Sequence, residues 1–159
     1  MNKLYLLLGS NMGNSRARLS NAIVRIEKQI GPVMRRSSLY STAAWGNTDQ
    51  PDFLNQVIIV HTGLTAKQTM QSILQIEEKM GRVRTVKNAP RIIDIDILFF
   101  NREIINHEQL TVPHPQIQNR RFVLIPLNEL SPNLKHPVLN QSVHQLLIHC
   151  PDKLNVKKF

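Results

Sequence analysis

The chain has little of what disulfide-bonded, metal-thiolate and membrane proteins depend on. Cys150 is its only cysteine, which excludes an internal disulfide framework and a cysteine-ligated metal site. No apolar run approaches the roughly 18 residues of a membrane-spanning helix, so no membrane contact is predicted. The run from Leu4 to Leu8 is too short for a secretion signal and predicts a strand. We therefore expect a soluble protein of a reducing cytoplasm.

Acidic residues are scarce relative to basic ones. The 159-residue chain has 20 lysines and arginines against 11 aspartates and glutamates, which gives a formal net charge of +9. A surplus of this size favours an anionic partner, such as nucleic acid, anionic lipid or a phosphorylated small molecule. The length and the hydrophobic content of 42% are typical of one globular domain, which we expect to span residues 1–159.

Two common catalytic signatures are also missing. The phosphate-loop pattern G-x-x-x-x-G-K-[ST] does not occur, and the stretch Gly9-Ser10-Asn11-Met12-Gly13 resembles it only weakly. We interpret this stretch mainly as a turn. The six histidines show neither the H-E-x-x-H pattern nor another metal-ligand spacing. Any nucleotide or metal site must therefore be built from other residues.

The most informative stretch runs from Ala89 to Phe100 and contains Asp94 and Asp96, two residues apart. Its isoleucine, leucine and phenylalanine content predicts a buried strand. A period of two places both carboxylates on one face of that strand. The opposite face then carries Ile93, Ile95 and Ile97. Two carboxylates on one side of an apolar strand repel each other, so we expect a cation between them.

Two kinds of cation fit the paired acids. Arg91 is near enough in sequence to serve one carboxylate, whereas a divalent metal would serve both. Mg²⁺ suits such hard oxygen ligands and commonly takes one or two carboxylates together with substrate phosphates. The alternative is a surface salt-bridge network between Arg91 and the two acids.

Basic residues on both sides of the acids favour phosphate as the ligand, because arginine forks match phosphate oxygens and stay charged. They are Arg82, Arg84, Lys87, Arg91, His114, Arg120 and Arg121. Acids that hold metal beside arginines that hold phosphate are typical of a phosphoryl-transfer site.

Hydrophobic periodicity predicts six elements in the first hundred residues. Strands are expected at Lys3 to Gly9, Val33 to Trp45, Phe53 to His61 and 92–100, with helices from Ser15 to about Ile30 and from Thr65 to Gly81. This β-α-β-β-α-β order predicts an α+β, ferredoxin-like fold, an antiparallel sheet with two helices on one face. In the tail, 101–159, we expect a small strand pair and one or two short helices.

Motifs along nearly the whole chain resemble one enzyme family. They are Gly9-Ser10-Asn11, Ser38 to Thr42, Asp49 to Asn55, Ile76-Glu77, Gly81 to Arg84, Pro90 to Asp96, Val112 to Pro115 and Asn119 to Leu124. The chain resembles the 6-hydroxymethyl-7,8-dihydropterin pyrophosphokinases. The resemblance implies a ferredoxin-like monomer that transfers the β,γ-diphosphate of ATP to the hydroxymethyl group of the reduced pterin. The products would be AMP and a dihydropterin diphosphate, which is a precursor of folate.

The resemblance also implies roles for individual residues. Asp94 and Asp96 would hold two Mg²⁺ ions, and with Arg82 and Arg91 they would form the catalytic set. ATP would be bound by Arg82, Arg84, Arg91, Ile97, Thr111, His114 and Arg120. The pterin would be bound by Thr42, Ala44, Trp45, Phe53, Asn55 and Phe122, with Phe53 and Phe122 on the two faces of its ring. Glu77 and Asn11 would belong to the same region.

A non-catalytic binding module is the alternative. A ferredoxin-like fold with a charge of +9 is compatible with an RNA-recognition domain. Such a domain needs aromatic residues on an exposed strand, but the candidate strand from Arg91 to Phe100 has acids there, which would repel RNA phosphates. We therefore expect no nucleic-acid partner. A regulatory small-molecule-binding domain of the same fold would not require the Arg82, Arg84 and Arg91 cluster.

Overall fold

The computed structural model describes residues 1–43, 49–83 and 90–159. The helices are α1 (Ser15–Gln29), α2 (Ala66–Lys79), α3 (Arg121–Leu130) and α4 (Val143–Ile148), with a 3₁₀ turn at Ile117–Asn119. The strands are β1 (Asn2–Ser10), β2 (Val33–Arg36), β3 (Tyr40–Thr42), β4 (Phe53–Thr62), β5 (Asp94–Phe100), β6 (Ile105–Asn106), β7 (Thr111–Val112) and β8 (Val156–Lys158).

The main sheet is antiparallel, with strand order β5-β1-β4-β3-β8, and β2 also pairs with β4. The four strands of the predicted βαββαβ unit correspond to β1, the segment of β2 and β3, β4 and β5, in chain order. Across the sheet they lie in the order fourth, first, third, second, which is the ferredoxin-like arrangement. The predicted fold class is therefore confirmed. The strand pair expected in the tail is also present, as a separate two-stranded sheet of β6 and β7.

Side-chain capping defines where the first two helices begin. The side chain of Asn14 accepts a hydrogen bond from the Ala17 amide, so Asn14 caps α1, which begins at Ser15 as predicted. Thr65 caps α2 in a reciprocal capping box with Gln68. One apolar face of α1 and its C-cap is buried, namely Leu19, Ala22, Ile23, Ile26 and Ile30.

The single strand predicted from Val33 to Trp45 is wrong, because the chain breaks into β2 and β3. Arg36 of β2 pairs with Ile58 of β4, and Tyr40 of β3 pairs with Asn55 of β4. Four residue positions on one side are therefore matched to three on β4, which leaves one extra residue. Ser37 still pairs with Val57, because its amide donates to the Val57 carbonyl at 2.8 Å and its hydroxyl accepts from the Val57 amide at 3.0 Å. The extra residue therefore lies between Ser37 and Tyr40. Trp45 lies outside the described residues.

The sheet is covered on both faces. One core contains the inner faces of α1 and α2, and the other contains α3 and α4. Ile93, Ile95 and Ile97 belong to the first core, which confirms the predicted alternation around the two aspartates. The tail therefore supplies a second helical layer that the sequence pattern did not reveal. Within the described ranges, no helix combines the length and apolar character needed to cross a membrane.

Candidate active site

The site forms where β1 ends, and its position is set by strand register. Gly9 is opposite Asn55 on β4 and opposite Asp94 on β5, so three segments far apart in sequence meet there. A Cβ at Gly9 would lie 3.0 Å from Asn55 Oδ1 and 3.7 Å from Phe53 Cδ1. The absence of a side chain at Gly9 therefore lets Phe53 and Asn55 close in on the strand end.

The first cleft at this position, here called the aromatic cleft, has a volume of about 250 Å³. Its lining includes Gly9, Thr42, Phe53, Asn55, Arg82, Arg91, Asp94, Asp96, Arg120 and Phe122. Every residue predicted to bind the pterin and lying within the described ranges is in this lining. Ala44 and Trp45 lie outside the described residues.

Asn55 points to a polar ligand in the aromatic cleft. The residue is 3% exposed, and within the described part of the chain its side-chain nitrogen has no hydrogen-bond partner. A buried donor without an acceptor costs free energy, and a ligand that brings an acceptor removes that cost. Phe53 and Phe122 supply aromatic surface in the same cleft, which suits a flat ring with polar edges.

Each aromatic ring has an arginine beside it. The guanidinium carbon of Arg91 lies 5.9 Å from the centroid of the Phe53 ring, and that of Arg120 lies 5.7 Å from the Phe122 ring. At these distances a cation is attracted to the face of the ring. The cationic and aromatic parts of the cleft are therefore in direct contact with each other.

Asp94 is held between two arginines. Arg82 Nη1 donates to Asp94 Oδ1 at 2.7 Å, and Arg91 Nη1 donates to Asp94 Oδ2 at 3.1 Å. Arg82 is fixed from a second side by Glu77, whose Oε2 accepts from the same nitrogen at 2.8 Å. Glu77 is itself 3% exposed and also accepts from the Ile95 amide at 2.9 Å. Arg82 is thus presented to the cleft in a fixed position.

The environment of Asp96 disfavours its negative charge more than the environment of Asp94 does. Burial raises the pKa of the Asp96 carboxyl to about 8, and the nearby charges of Asp94 and Glu77 add to the increase. Arg120 and Arg82 offset part of it. This is the situation expected for a carboxylate whose ordinary counter-charge is a bound cation.

A second cleft, here called the edge cleft, runs along the edge strand β5 beneath α2 and has a volume of about 380 Å³. Arg82, Asp94 and Asp96 line both clefts. The edge cleft also contains the three remaining described residues that were predicted to bind ATP, namely Ile97, Thr111 and His114. Arg84 lies outside the described residues.

His114 is a neutral hydrogen-bonding group in this cleft. Burial, with a further contribution from Arg120, lowers the pKa of His114 to about 4. Its Nδ1 accepts from the Gln116 amide at 3.1 Å, so the neutral ring carries its proton on Nε2. That nitrogen can donate to an anionic oxygen without the cost of a buried positive charge.

Sequence reasoning missed several residues that build the site. Gly9, Leu7 and Ala43 complete the aromatic cleft, and Leu74 and the segment 108–110 are among the unpredicted residues of the edge cleft. Asp152 accepts from the Arg121 amide at 3.0 Å and so caps α3 beside Arg120 and Phe122. A glycine two residues before a motif asparagine is a usable signal for close approach, but Asp152 is 31 residues away from its partner in sequence and gives none.

Comparison with known proteins agrees with this geometry. The sequence model of the family 7,8-dihydro-6-hydroxymethylpterin-pyrophosphokinase (HPPK) matches residues 5–132. The chain belongs to the HPPK family. It is 42% identical over 130 residues to the 2-amino-4-hydroxy-6-hydroxymethyldihydropteridine pyrophosphokinase of Bacillus subtilis, covering 81% of this chain and 78% of that protein. It is 41% identical over 135 residues to the protein of the same name from Methylorubrum extorquens, covering 84% and 85% respectively.

Some relatives are much longer than this HPPK chain. The folic acid synthesis protein FOL1 of Dictyostelium discoideum is 37% identical over 155 residues, which is 98% of this chain but 23% of that protein. Among solved structures, Plasmodium falciparum HPPK-DHPS with SDX-DHP superimposes with a TM-score of 0.76 at 22% identity, covering 93% of this chain and 43% of that one. At this identity the structural likeness shows a shared fold.

Proposed function

We propose that this protein transfers the β,γ-diphosphate of ATP to 6-hydroxymethyl-7,8-dihydropterin. The hydroxymethyl oxygen forms a bond to the β-phosphorus, and the bond from that phosphorus to the oxygen bridging it to the α-phosphorus breaks. AMP leaves with the electron pair of that bond, and the hydroxyl proton is released. The products are AMP and the dihydropterin diphosphate, which serves folate synthesis.

The observation that carries the proposal is that Arg82, Asp94 and Asp96 line both clefts. A flat ring in the aromatic cleft and a nucleotide in the edge cleft would meet at these three residues. Phosphoryl transfer depends mainly on positioning the reactants and on neutralising charge. The shared group of one arginine and two aspartates would supply both the positioning and the neutralisation of charge.

The aromatic cleft suits the pterin. Phe53 and Phe122 would take the two faces of the ring, and the amide nitrogen of Asn55, which has no partner among the described residues, would donate to its pyrimidine edge. Thr42 lies in the wall of the cleft. From the family resemblance, Ala44 and Trp45 would complete this wall.

The edge cleft suits ATP, together with Arg82, which lines both clefts, and with Arg91 and Arg120 of the aromatic cleft. Ile97 and Thr111 would lie beside the adenosine, and Arg82, Arg91 and Arg120 would neutralise the phosphates. The neutral His114 would add a hydrogen bond to a phosphate oxygen. Arg84 has the same role by resemblance.

The donor set fits Mg²⁺. In the described ranges no group of three or more His, Cys, Asp or Glu side chains forms a metal cage, whereas Mg²⁺ commonly uses one or two carboxylates together with substrate phosphates and water. Asp94 and Asp96 would hold two ions, and a bound cation would offset the burial and the neighbouring negative charges that raise the pKa of Asp96. When bound, the metal would supply charge stabilisation to the phosphate oxygens. Arg82 and Arg91, which already bind Asp94, would orient the phosphates around it.

The proposal is tested by measuring AMP formation from Mg-ATP with and without the hydroxymethyl dihydropterin. We expect AMP and the dihydropterin diphosphate in equal amounts, and no AMP with a 6-methyl analogue that lacks the hydroxyl. Formation of ADP, or AMP formation that does not depend on the pterin, would contradict the proposal. Binding of RNA or of a small molecule without turnover would instead favour the non-catalytic alternative. Light scattering during the same preparation tests the expected monomer.

A further inference from the structure

Asn11 lies directly after β1 and is 3% exposed, although its side chain is an amide. Its Nδ2 donates to Gln50 Oε1 at 2.6 Å and to the Pro51 carbonyl at 3.0 Å. Its Oδ1 accepts from the Arg91 amide at 2.8 Å, and its own backbone amide donates to the Arg91 carbonyl at 3.1 Å. Both side-chain hydrogens are therefore used inside the protein, and none is left to donate to a ligand.

The partners of Asn11 belong to opposite sides of the site. Gln50 and Pro51 come just before β4, which begins at the aromatic-cleft residue Phe53. Arg91 comes just before β5, and its guanidinium holds Asp94. One rigid, planar amide thus connects the segment that leads to the proposed pterin wall with the segment that leads to the proposed phosphate and metal residues.

Hydrogen-bond geometry limits how independently these segments move. A bond between nitrogen and oxygen weakens steeply once its length or angle departs from a narrow range. If Arg91 moves as a unit, Asn11 must either follow it and carry Gln50 and Pro51 along, or lose bonds on one side. Breaking those bonds would leave polar groups in a buried position, which costs free energy.

We infer that Asn11 is a positioning residue that couples the pterin side of the active site to the phosphate side. The inference rests on the proposed function. A nucleotide that fixes Arg91 fixes the Gln50–Pro51 segment through Asn11, and so prearranges the start of β4 for the pterin. By linkage the pterin strengthens nucleotide binding by the same factor.

The experiment is calorimetric titration of the hydroxymethyl dihydropterin in the presence and absence of a non-hydrolysable Mg-ATP analogue. For the unaltered protein we expect the analogue to tighten pterin binding at least about fivefold, at the lower end of ordinary coupling between sites. The measured quantity is the ratio of the pterin dissociation constants without and with the analogue. In Asn11→Ala this ratio should fall to within about twofold of unity. Gln50→Leu removes one of the two bonds that Asn11 donates on the pterin side and should give an intermediate ratio.

Two further variants separate coupling from general damage. Gln50→Glu keeps an acceptor oxygen for Asn11 and should retain the ratio of the unaltered protein. Asn21→Ala removes an exposed asparagine of α1 that bonds only to Arg25 among the contacts described. This variant should keep the ratio of the unaltered protein. Melting curves are recorded for each, and if Asn11→Ala does not fold, the comparison of Gln50→Leu with Gln50→Glu decides.

The outcomes distinguish this inference from the proposed function. An unaltered protein that turns over both substrates but shows no coupling overturns the inference alone. So does a folded Asn11→Ala variant that keeps the full ratio, since Asn11 would then contribute only stability. Failure of the unaltered protein to bind pterin or nucleotide overturns the proposed function, and the inference with it.

Discussion

Glu77 and Arg82 form a partly buried ion pair with a nitrogen to oxygen distance of 2.8 Å. The same arginine nitrogen lies 2.7 Å from Asp94, so Glu77 holds Arg82 while Arg82 holds Asp94. Glu77 is on α2 and Asp94 is on β5, which means that the docking of the helix on the sheet sets the position of the arginine. The first prediction follows from this arrangement.

Glu77→Gln should lower the rate of diphosphate transfer about tenfold, which corresponds to about 1.4 kcal/mol. The amide still accepts from the Ile95 amide group but no longer offers Arg82 a charged partner. Pterin affinity should stay within about twofold, because Glu77 does not line the aromatic cleft. Single-turnover kinetics and calorimetry measure the two quantities. Glu78→Gln, an exposed neighbour on the same helix, is the control, and an equal loss there would contradict the assignment.

Asp96→Asn should abolish turnover and leave the protein folded. In the metal-free protein the pKa of Asp96 is raised from 3.8 to about 8, so the folded state resists a deprotonation that the unfolded state undergoes freely. The free energy of unfolding should therefore be highest below about pH 4 with respect to this group, and should decrease as the pH rises to about 8.

Urea unfolding in a chelator across this pH range measures the effect. The free energy of unfolding of the Asp96→Asn variant should depend less on pH than that of the unaltered protein. Mg²⁺ should restore stability at high pH in the unaltered protein but not in the variant. Asp52→Asn, at an exposed carboxylate, should keep the original dependence. Near-normal turnover by a folded Asp96→Asn variant would refute the metal-binding role.

Phe122→Ala should weaken pterin binding at least about tenfold, or roughly 1.4 kcal/mol, through loss of the aromatic stack and its buried area. Binding of the Mg-ATP analogue should be nearly unchanged, because the phosphates would be held by arginines and aspartates. Phe122 is half-buried and packs partly against the second core, so the loss of stability should be below the 3–5 kcal/mol or so typical of a fully buried phenylalanine.

Calorimetry with both ligands and a melting curve make this comparison, with the exposed Phe159→Ala as the control. If Phe122→Ala loses both ligands equally as the protein unfolds, Phe122 is a core residue and the stacking role is wrong.

Gly9→Ala should reduce pterin affinity about fivefold, or roughly 1 kcal/mol. The new methyl group would lie 3.0 Å from the Asn55 side-chain oxygen, which must shift away and turn its amide out of position. Gly63→Ala is the matched control, because a Cβ there meets nothing within 4 Å. Equal pterin affinities of the two variants, measured by titration, would show that the strand end tolerates a side chain and that Asn55 is not positioned by Gly9.

The sequence by itself determined the parts of this protein that depend on local pattern. The alternation around Asp94 and Asp96 predicted which side chains enter the core, because successive residues of a strand point to opposite faces. The order of helical and strand periods predicted the ferredoxin-like sheet, because few topologies accept that order. The spaced motifs indicated the family and about half of the residues that line the two clefts.

Only the tertiary structure decided which distant residues hold these side chains in place. Glu77 fixes Arg82 through helix docking, Asn11 connects Gln50 with Arg91, and Asp152 caps the helix that follows Arg120. The break at Ser37 likewise depends on its pairing with β4 and not on its own neighbours. Strand register and packing bring these residues together, and a local sequence pattern encodes neither. The same helices and strands would form from the same residue types if their side chains had other partners.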